Sequence, residues 1–208
     1  MTLPPVIPPM AGPDAPPPDP LANTTKADIS TFISDWLNRV VTEGVSPTNG
    51  LTPFHGLEVP GITVAAYLQR ISLHTRCSKS VIVIAMIYMD RVVKEHPRVT
   101  VTPNTVHRLL AISVTVAAKF HDDYHFDNAT YAHIGGITTK EIGRLELYFL
   151  DLIEFRLYVS PEEYRAAAWA YIATASGADP IDTSRAGSPS TLESIHTADS
   201  GYSPTCLK

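Results

Sequence analysis

From Val81 to Met89 the chain runs through nine consecutive apolar residues. The run is rich in β-branched side chains, so periodicity alone would also permit a buried strand. Its surroundings decide against that. Ser78 stands where a helix N-cap belongs, the sequence continues through Asp90-Arg91 to His96 without a turn signal, and Pro97 then forbids continuation. The expected element is a helix over about 78–96 that is apolar nearly all round. Such a helix has no face to give to water and must be wrapped by other elements.

The rest of the chain supplies the wrapping. Asp28 reads as the cap of a helix whose apolar positions Ile29, Phe32, Ile33, Trp36, Leu37, Val40 and Val41 repeat at three and four residues up to Gly44. A Pro- and Gly-rich loop, 45–61, leads to a short helix from Ile62 to Leu73. Thr102-Pro103 reads as the start of the next helix, whose body, Val106 to Phe120, carries small residues (Ala111, Ser113, Ala117, Ala118) that allow close helix approach. A short helix from Asn128 to His133 stops at Gly135-Gly136, and Thr138 with Glu141 forms a capping box for a long helix over 139–155. Ser160-Pro161-Glu162-Glu163 opens a last helix to about Ser176. The expected fold is all-α: five helices between 62 and 155, and one on each flank.

Nine of the eighteen prolines fall within residues 1–20. Residues 1–25 are therefore expected to be a disordered, Pro-rich tail, and 177–208, rich in Ser, Thr, Gly and Asp, a second one. Residues 26–44 form the N-terminal flanking helix and 52–176 the main bundle with its extra helix. A net charge of −5 argues against a nucleic-acid coat. No stretch has the length and apolarity of a membrane span. The start lacks the basic and apolar regions of a secretory signal. Two cysteines, Cys77 and Cys206, are too few for a disulfide framework or a closed zinc site. The expectation is an intracellular protein of the nucleus and/or cytoplasm.

Enzymatic chemistry finds little support. No Gly-x-Ser-x-Gly, Walker loop or dinucleotide fingerprint is present, and Gly135-Gly136 reads as a turn. His107, the doublet His121-Asp122 and Asp151 could be fitted to an all-helical metal-dependent phosphohydrolase, but one doublet at free spacing is a weak demand. The same residues serve equally well as caps and turn formers. Two charges stand out more clearly. Lys119 ends a helix of small and apolar residues, and Glu146 sits among Leu145, Leu147, Phe149 and Leu150. Opposite charges in apolar surroundings on neighbouring helices suit the capture of a partner's backbone, Lys donating and Glu accepting.

The segments Lys119-Phe120-His121-Asp122-Asp123-Tyr124, Asn128, Tyr131-Ala132, Gly135-Gly136-Ile137, Leu145 to Leu150 and Phe155-Arg156-Leu157 together resemble the cyclin box of the Pho80-like (P/U-type) cyclins. Tyr67 to Ile71 and Tyr88 to Arg91 fall where that family has its first two box helices, so the resemblance spans roughly 52–160. It implies a single cyclin box and a non-enzymatic activator of a cyclin-dependent kinase, in cell-cycle or phosphate/nutrient signalling. No cofactor, metal, small-molecule substrate, nucleic acid or membrane would be engaged. It further implies that Lys119 and Glu146 contact the kinase near its regulatory helix, with Val116, Phe120, Leu150, Phe155 and Leu157 as apolar contacts. Arg70 and Asp90 would form a structural pair linking the first two box helices. Ser188-Pro189 and Ser203-Pro204 in the tail, and Ser46-Pro47 in a loop, fit proline-directed phosphorylation. A cyclin-fold transcription factor is the alternative on the same scaffold. The mixture of Arg108, Lys119, Lys140 and Arg144 with several carboxylates on those helices favours a protein partner over DNA.

Overall fold

The expected central helix is present, and its cap is the expected one: the Ser78 side chain accepts from the Val81 amide at 3.3 Å, opening α3 (Lys79–Glu95). This computed structural model describes residues 19–43 and 50–175. Every residue from Val81 to Met89 is buried, as is Val92. The remaining helices are α1 (Lys26–Glu43), α2 (Val64–His74), α4 (Val106–His121), α5 (Asn128–Gly135), α6 (Thr139–Leu152) and α7 (Pro161–Ala175). Among the described residues there is no strand.

α3 packs most extensively against α4, whose small residues Ala111, Ser113, Ala117 and Ala118 are all buried. The pair is a hub. α1 and α7 cover its α3 side, while α2, α5 and α6 cover its α4 side. Among the described residues the architecture is the expected five-helix bundle with one flanking helix on each side.

The helix ends depart from expectation at the starts of α1 and α4 and at the end of α6. α1 begins at Lys26, and its cap is Thr25: the Asp28 amide donates to Thr25 Oγ1 at 3.1 Å, and the Thr25 amide donates to Asp28 Oδ2 at 2.8 Å. Asp28 thus serves from inside the first turn. Residues 19–25, expected within the disordered start, carry Leu21 into the core at 2% exposure. The Lys79 ammonium donates to the Leu21 and Thr24 carbonyls at 2.9 and 3.0 Å and ties this segment to the start of α3. α4 starts at Val106, because Thr102 to Thr105 close a turn in which the Thr102 amide donates to Thr105 Oγ1 at 2.9 Å. α6 ends at Leu152, followed by Glu154 and Phe155 in left-handed conformation with φ 52° and 54°.

The turn after α5 is the expected one. Gly136 takes φ 71°, and its amide donates back to the α5 carbonyls. Arg70 belongs to this turn rather than to Asp90. Its Nε donates to the Ile134 carbonyl at 2.7 Å, a cation placed at a helix C-terminus, while Asp90 pairs with Lys94 at 2.8 Å. The proposed Arg70–Asp90 pair is therefore not formed. Residues 1–18, the Ser46-Pro47 loop and the 177–208 tail with Ser188 and Ser203 lie outside the described residues.

Candidate functional site

α4 spends nearly all of its length inside the protein and surfaces only at its last turn. Val116, Ala117 and Ala118 are buried, then Lys119 reaches the rim and Phe120 is 55% exposed. α6 crosses beside that turn with Ile142, Leu145 and Phe149 inward. This places Glu146, Leu147 and Leu150 on its outer sides, and Glu146 comes to face Lys119.

The two charges meet directly. Lys119 Nζ lies 2.6 Å from Glu146 Oε1, with the side chains 27% and 16% exposed. The second carboxylate oxygen, Oε2, accepts from Asn128 Nδ2 at 2.8 Å. Glu146 therefore links α4, α5 and α6 through two charge-assisted hydrogen bonds at a partly sheltered position. An ammonium has three protons to give. Lys119 thus retains donors beyond the one engaged by Glu146 and is open enough to offer them.

The elements that carry this pair, and the segment after α6, also expose apolar side chains that water covers at a cost. Leu147 is 71% exposed, Phe155 67% and Tyr158 73%; Leu150 and Leu157 are half-buried. Local backbone chemistry brings the second group to the first. The Phe155 amide reaches back to the Leu150 carbonyl at 3.1 Å, closing the end of α6 and fixing Phe155 one turn beyond it. The Leu157 carbonyl accepts from the Tyr88 hydroxyl, whose oxygen also lies 2.9 Å from His121 Nε2. His121 in turn packs edge-on to Phe120, with ring centroids 4.9 Å apart. These bonds link Phe120 through His121 and Tyr88 to Leu157, and Phe155 to Leu150, which follows Glu146 by four residues on α6.

Val116 does not share it. At 3% exposure it fills the core beneath Lys119 and has no surface to offer a partner. Conversely, Asn128 binds Glu146 and exposed Leu147 follows it on α6, although the residue patterns assigned neither to the site. Leu147 carried a usable signal, being an apolar side chain on the polar side of an amphipathic helix. The Asn128–Glu146 bond carried none, since it joins different helices.

The histidines have structural employment. His107 is buried, with Nε2 3.0 Å from the Ile62 carbonyl, and burial holds its imidazole below the ordinary value despite that hydrogen bond. His121 is held low for the same reason, against the opposing effects of the Leu157 carbonyl and Asp122. The Asp122 carboxylate accepts from the Ser78 amide at 2.9 Å, and Asp151 is exposed. Among the described residues no three His, Cys, Asp or Glu side chains gather as a metal site, so His107, His121-Asp122 and Asp151 are not brought together. Among those residues, too, no helix is long and apolar enough to cross a membrane.

Comparison with known proteins finds relatives over most of the described chain. The Cyclin family model matches residues 19–157. Cyclin-U4-1 of Arabidopsis thaliana is 44% identical over 141 residues, covering 65% of this chain and 70% of that protein. Cyclin-U1-1 of the same plant is 39% identical over 127 residues, covering 61% and 59%. Cyclin-P3-1 of Oryza sativa subsp. japonica is 41% identical over 148 residues, covering 68% and 62%. The chain thus spans 59–70% of the length of these curated relatives.

Proposed function

The chain belongs to the cyclin family, on its P/U-type branch, and from that premise we propose that it is the regulatory subunit of a cyclin-dependent kinase, docking through the face built on Lys119 and Glu146. The observation that carries this reading is a sheltered ion pair between α4 and α6 whose members are followed in the chain by exposed Phe120 and Leu147, with Phe155 and Tyr158 exposed in the segment after α6. A lone exposed apolar residue is ordinary, whereas a contiguous group set about a partly desolvated charge pair is what a protein interface leaves behind when its partner is absent.

The chain performs no chemistry of its own in this reading. It works by population shift. A kinase on its own rarely holds its regulatory helix inward, where a glutamate can pair with the ATP-binding lysine. A rigid face that binds only the inward state raises that state by its differential affinity. Converting a rare state into the dominant one takes about 5.5 kcal/mol. An interface of about 1,600 Å² with a few aromatic anchors supplies that much. Lys119 donates to carbonyls at the end of the kinase helix, Glu146 orients the ammonium and accepts from amides, and Phe120, Leu150, Phe155 and Leu157 supply the apolar contact. The process served is cell-cycle control or phosphate/nutrient signalling, in the nucleus and/or cytoplasm.

Affinity capture from native extract, with wild type beside Lys119→Ala/Glu146→Ala, followed by mass spectrometry and a kinase assay, tests the reading. A cyclin-dependent kinase enriched by wild type and depleted by the variant is the expected result. Equal kinase recovery in both lanes, with the variant folded, would overturn the assignment of this face.

A further inference from the structure

The half-turn that carries Phe155 and Leu157 has an unusual debt of backbone carbonyls. α6 ends at Leu152, and two consecutive residues, Glu154 and Phe155, then adopt left-handed φ, a conformation that costs any residue with a Cβ. The segment has no ladder or helix to satisfy it, yet most of its carbonyls are taken up. Those of Phe149, Leu150, Asp151 and Ile153 accept from amides nearby in the chain. Four others accept from side chains of a single distant helix. His96 Nε2 donates to the Leu152 carbonyl at 2.7 Å, Arg91 Nη1 to that of Arg156 at 2.7 Å, the Tyr88 hydroxyl to that of Leu157, and Arg91 Nη2 to that of Tyr158 at 3.0 Å.

Tyr88 lies midway along α3, Arg91 one turn before its end and His96 just beyond it, with Tyr88 and Arg91 three residues apart on one side of the helix. Tyr88 gives its one hydroxyl proton to Leu157. Its oxygen therefore accepts from His121 Nε2–H at 2.9 Å, which joins the arrangement to the last turn of α4 beside Phe120. Arg91 is held in turn by Glu163 at 2.7 Å, and its side chain is only 18% exposed. The hub helix is thus apolar toward the core and, along one edge, a row of donors to a segment 56–69 residues away in sequence.

We propose that Tyr88 and Arg91 are positioning residues for partner docking: they clamp residues 152–158 in the one backbone conformation that presents Phe155 and Leu157 beside the Lys119–Glu146 pair. The proposal rests on the reading of that face as the kinase-docking surface. Arg91 is the principal member, since one guanidinium holds two carbonyls on either side of Leu157. Phe155 makes its contribution only while that frame is fixed, so loss of the clamp and loss of the Phe155 ring remove the same thing.

The test uses the full chain with Tyr88→Phe, Arg91→Met, Glu163→Gln, Phe155→Ala and the double variant Arg91→Met/Phe155→Ala. Each is titrated against the tightest binder from a panel of purified monomeric cyclin-dependent kinases, and backbone amide exchange is followed on the free chain. Arg91→Met is expected to weaken binding about tenfold and to accelerate exchange over 153–158 by about tenfold while α3 and α4 stay protected, with Tyr88→Phe acting in the same direction. Adding Phe155→Ala to Arg91→Met should cost less than about twofold more, because the two act through one group. Glu163→Gln keeps the guanidinium on its carbonyls and should bind within about twofold of wild type. Affinity losses that multiply in the double variant, or unchanged exchange over 153–158, overturn the clamp. Wild type binding no kinase in the panel overturns the docking reading instead, and the exchange measurement still decides whether the clamp exists.

Discussion

The two ends of α4 are built by different physics, although fewer than ten residues separate them. Leu109, Leu110 and Ile112 are fully buried against α3, where each is one of many apolar contacts and none has a unique partner. Lys119 and Phe120, at the far end, sit at a surface held by a few directional bonds: Lys119 to Glu146, Glu146 to Asn128, and Tyr88 to Leu157. Burial is additive and forgiving in kind, so the hub supplies stability. Directional bonds place a small number of atoms with little surplus energy, so the rim supplies recognition. A substitution that damages one should largely spare the other.

The largest effect is expected in the hub. Leu110→Ala should destabilise the fold by about 3–5 kcal/mol in urea titration, a large share of the stability of an ordinary domain. A loss below about 1 kcal/mol would mean that α4 is not the keystone that its burial indicates. Next comes the rim. Phe155→Ala should weaken kinase binding by about 10–100-fold, or about 1.4–2.8 kcal/mol, while changing unfolding free energy by less than about 0.5 kcal/mol. A stability loss matching that of the hub variant would erase the contrast. Smaller again is the cap at the start of α3: Ser78→Ala should cost about 1 kcal/mol of stability and leave kinase affinity unchanged.

The smallest effect is a pH dependence that reads both regions at once. His107 belongs to the hub and His121 to the rim, and burial holds both below the ordinary value of 6.5. The unfolded chain therefore binds protons that the folded one refuses. Their contribution to stability is complete above the unfolded value and declines as pH falls below it. Urea titrations at a series of pH values should show a flat region above pH 7 and a decline below it. His107→Gln and His121→Gln should each remove part of the slope. A slope unchanged by either substitution would assign it to other groups.

Those two regions also differ in how legible they were. The hub was written locally: a run of nine consecutive apolar residues framed by Ser78 and Pro97 admits little else, and Gly136 and Thr138 mark a turn and a cap from their neighbours alone. Errors began where a distant group decided. Leu21 is a single apolar residue beside a Pro-rich stretch and has no period to betray its burial. Arg70 reaches a carbonyl 64 residues away, and no pattern in α2 distinguishes that from a pair with Asp90. Val116 lies three and four residues before Lys119 and Phe120, so helical spacing puts all three on one side. Only the depth to which α4 is sunk separates them. The rim was half visible: its charges and rings stand in the sequence, but the row of donors that holds 152–158 joins side chains to backbone and leaves no residue-type signature.

The most direct test of the division between hub and rim is a charge exchange, Lys119→Glu with Glu146→Lys, measured for unfolding free energy and kinase affinity on the same preparation. The exchange keeps opposite charges at the two positions whose side chains meet at 2.6 Å in the wild type, and Asn128 can turn its amide to face a lysine as readily as a carboxylate. Stability within about 1 kcal/mol of wild type together with a loss of kinase binding of more than about tenfold is the expected result, because the bond inside the protein is restored while the partner meets the wrong charges. Wild-type affinity from the exchanged pair would contradict it, and would make Lys119 and Glu146 a structural tie with no part in recognition.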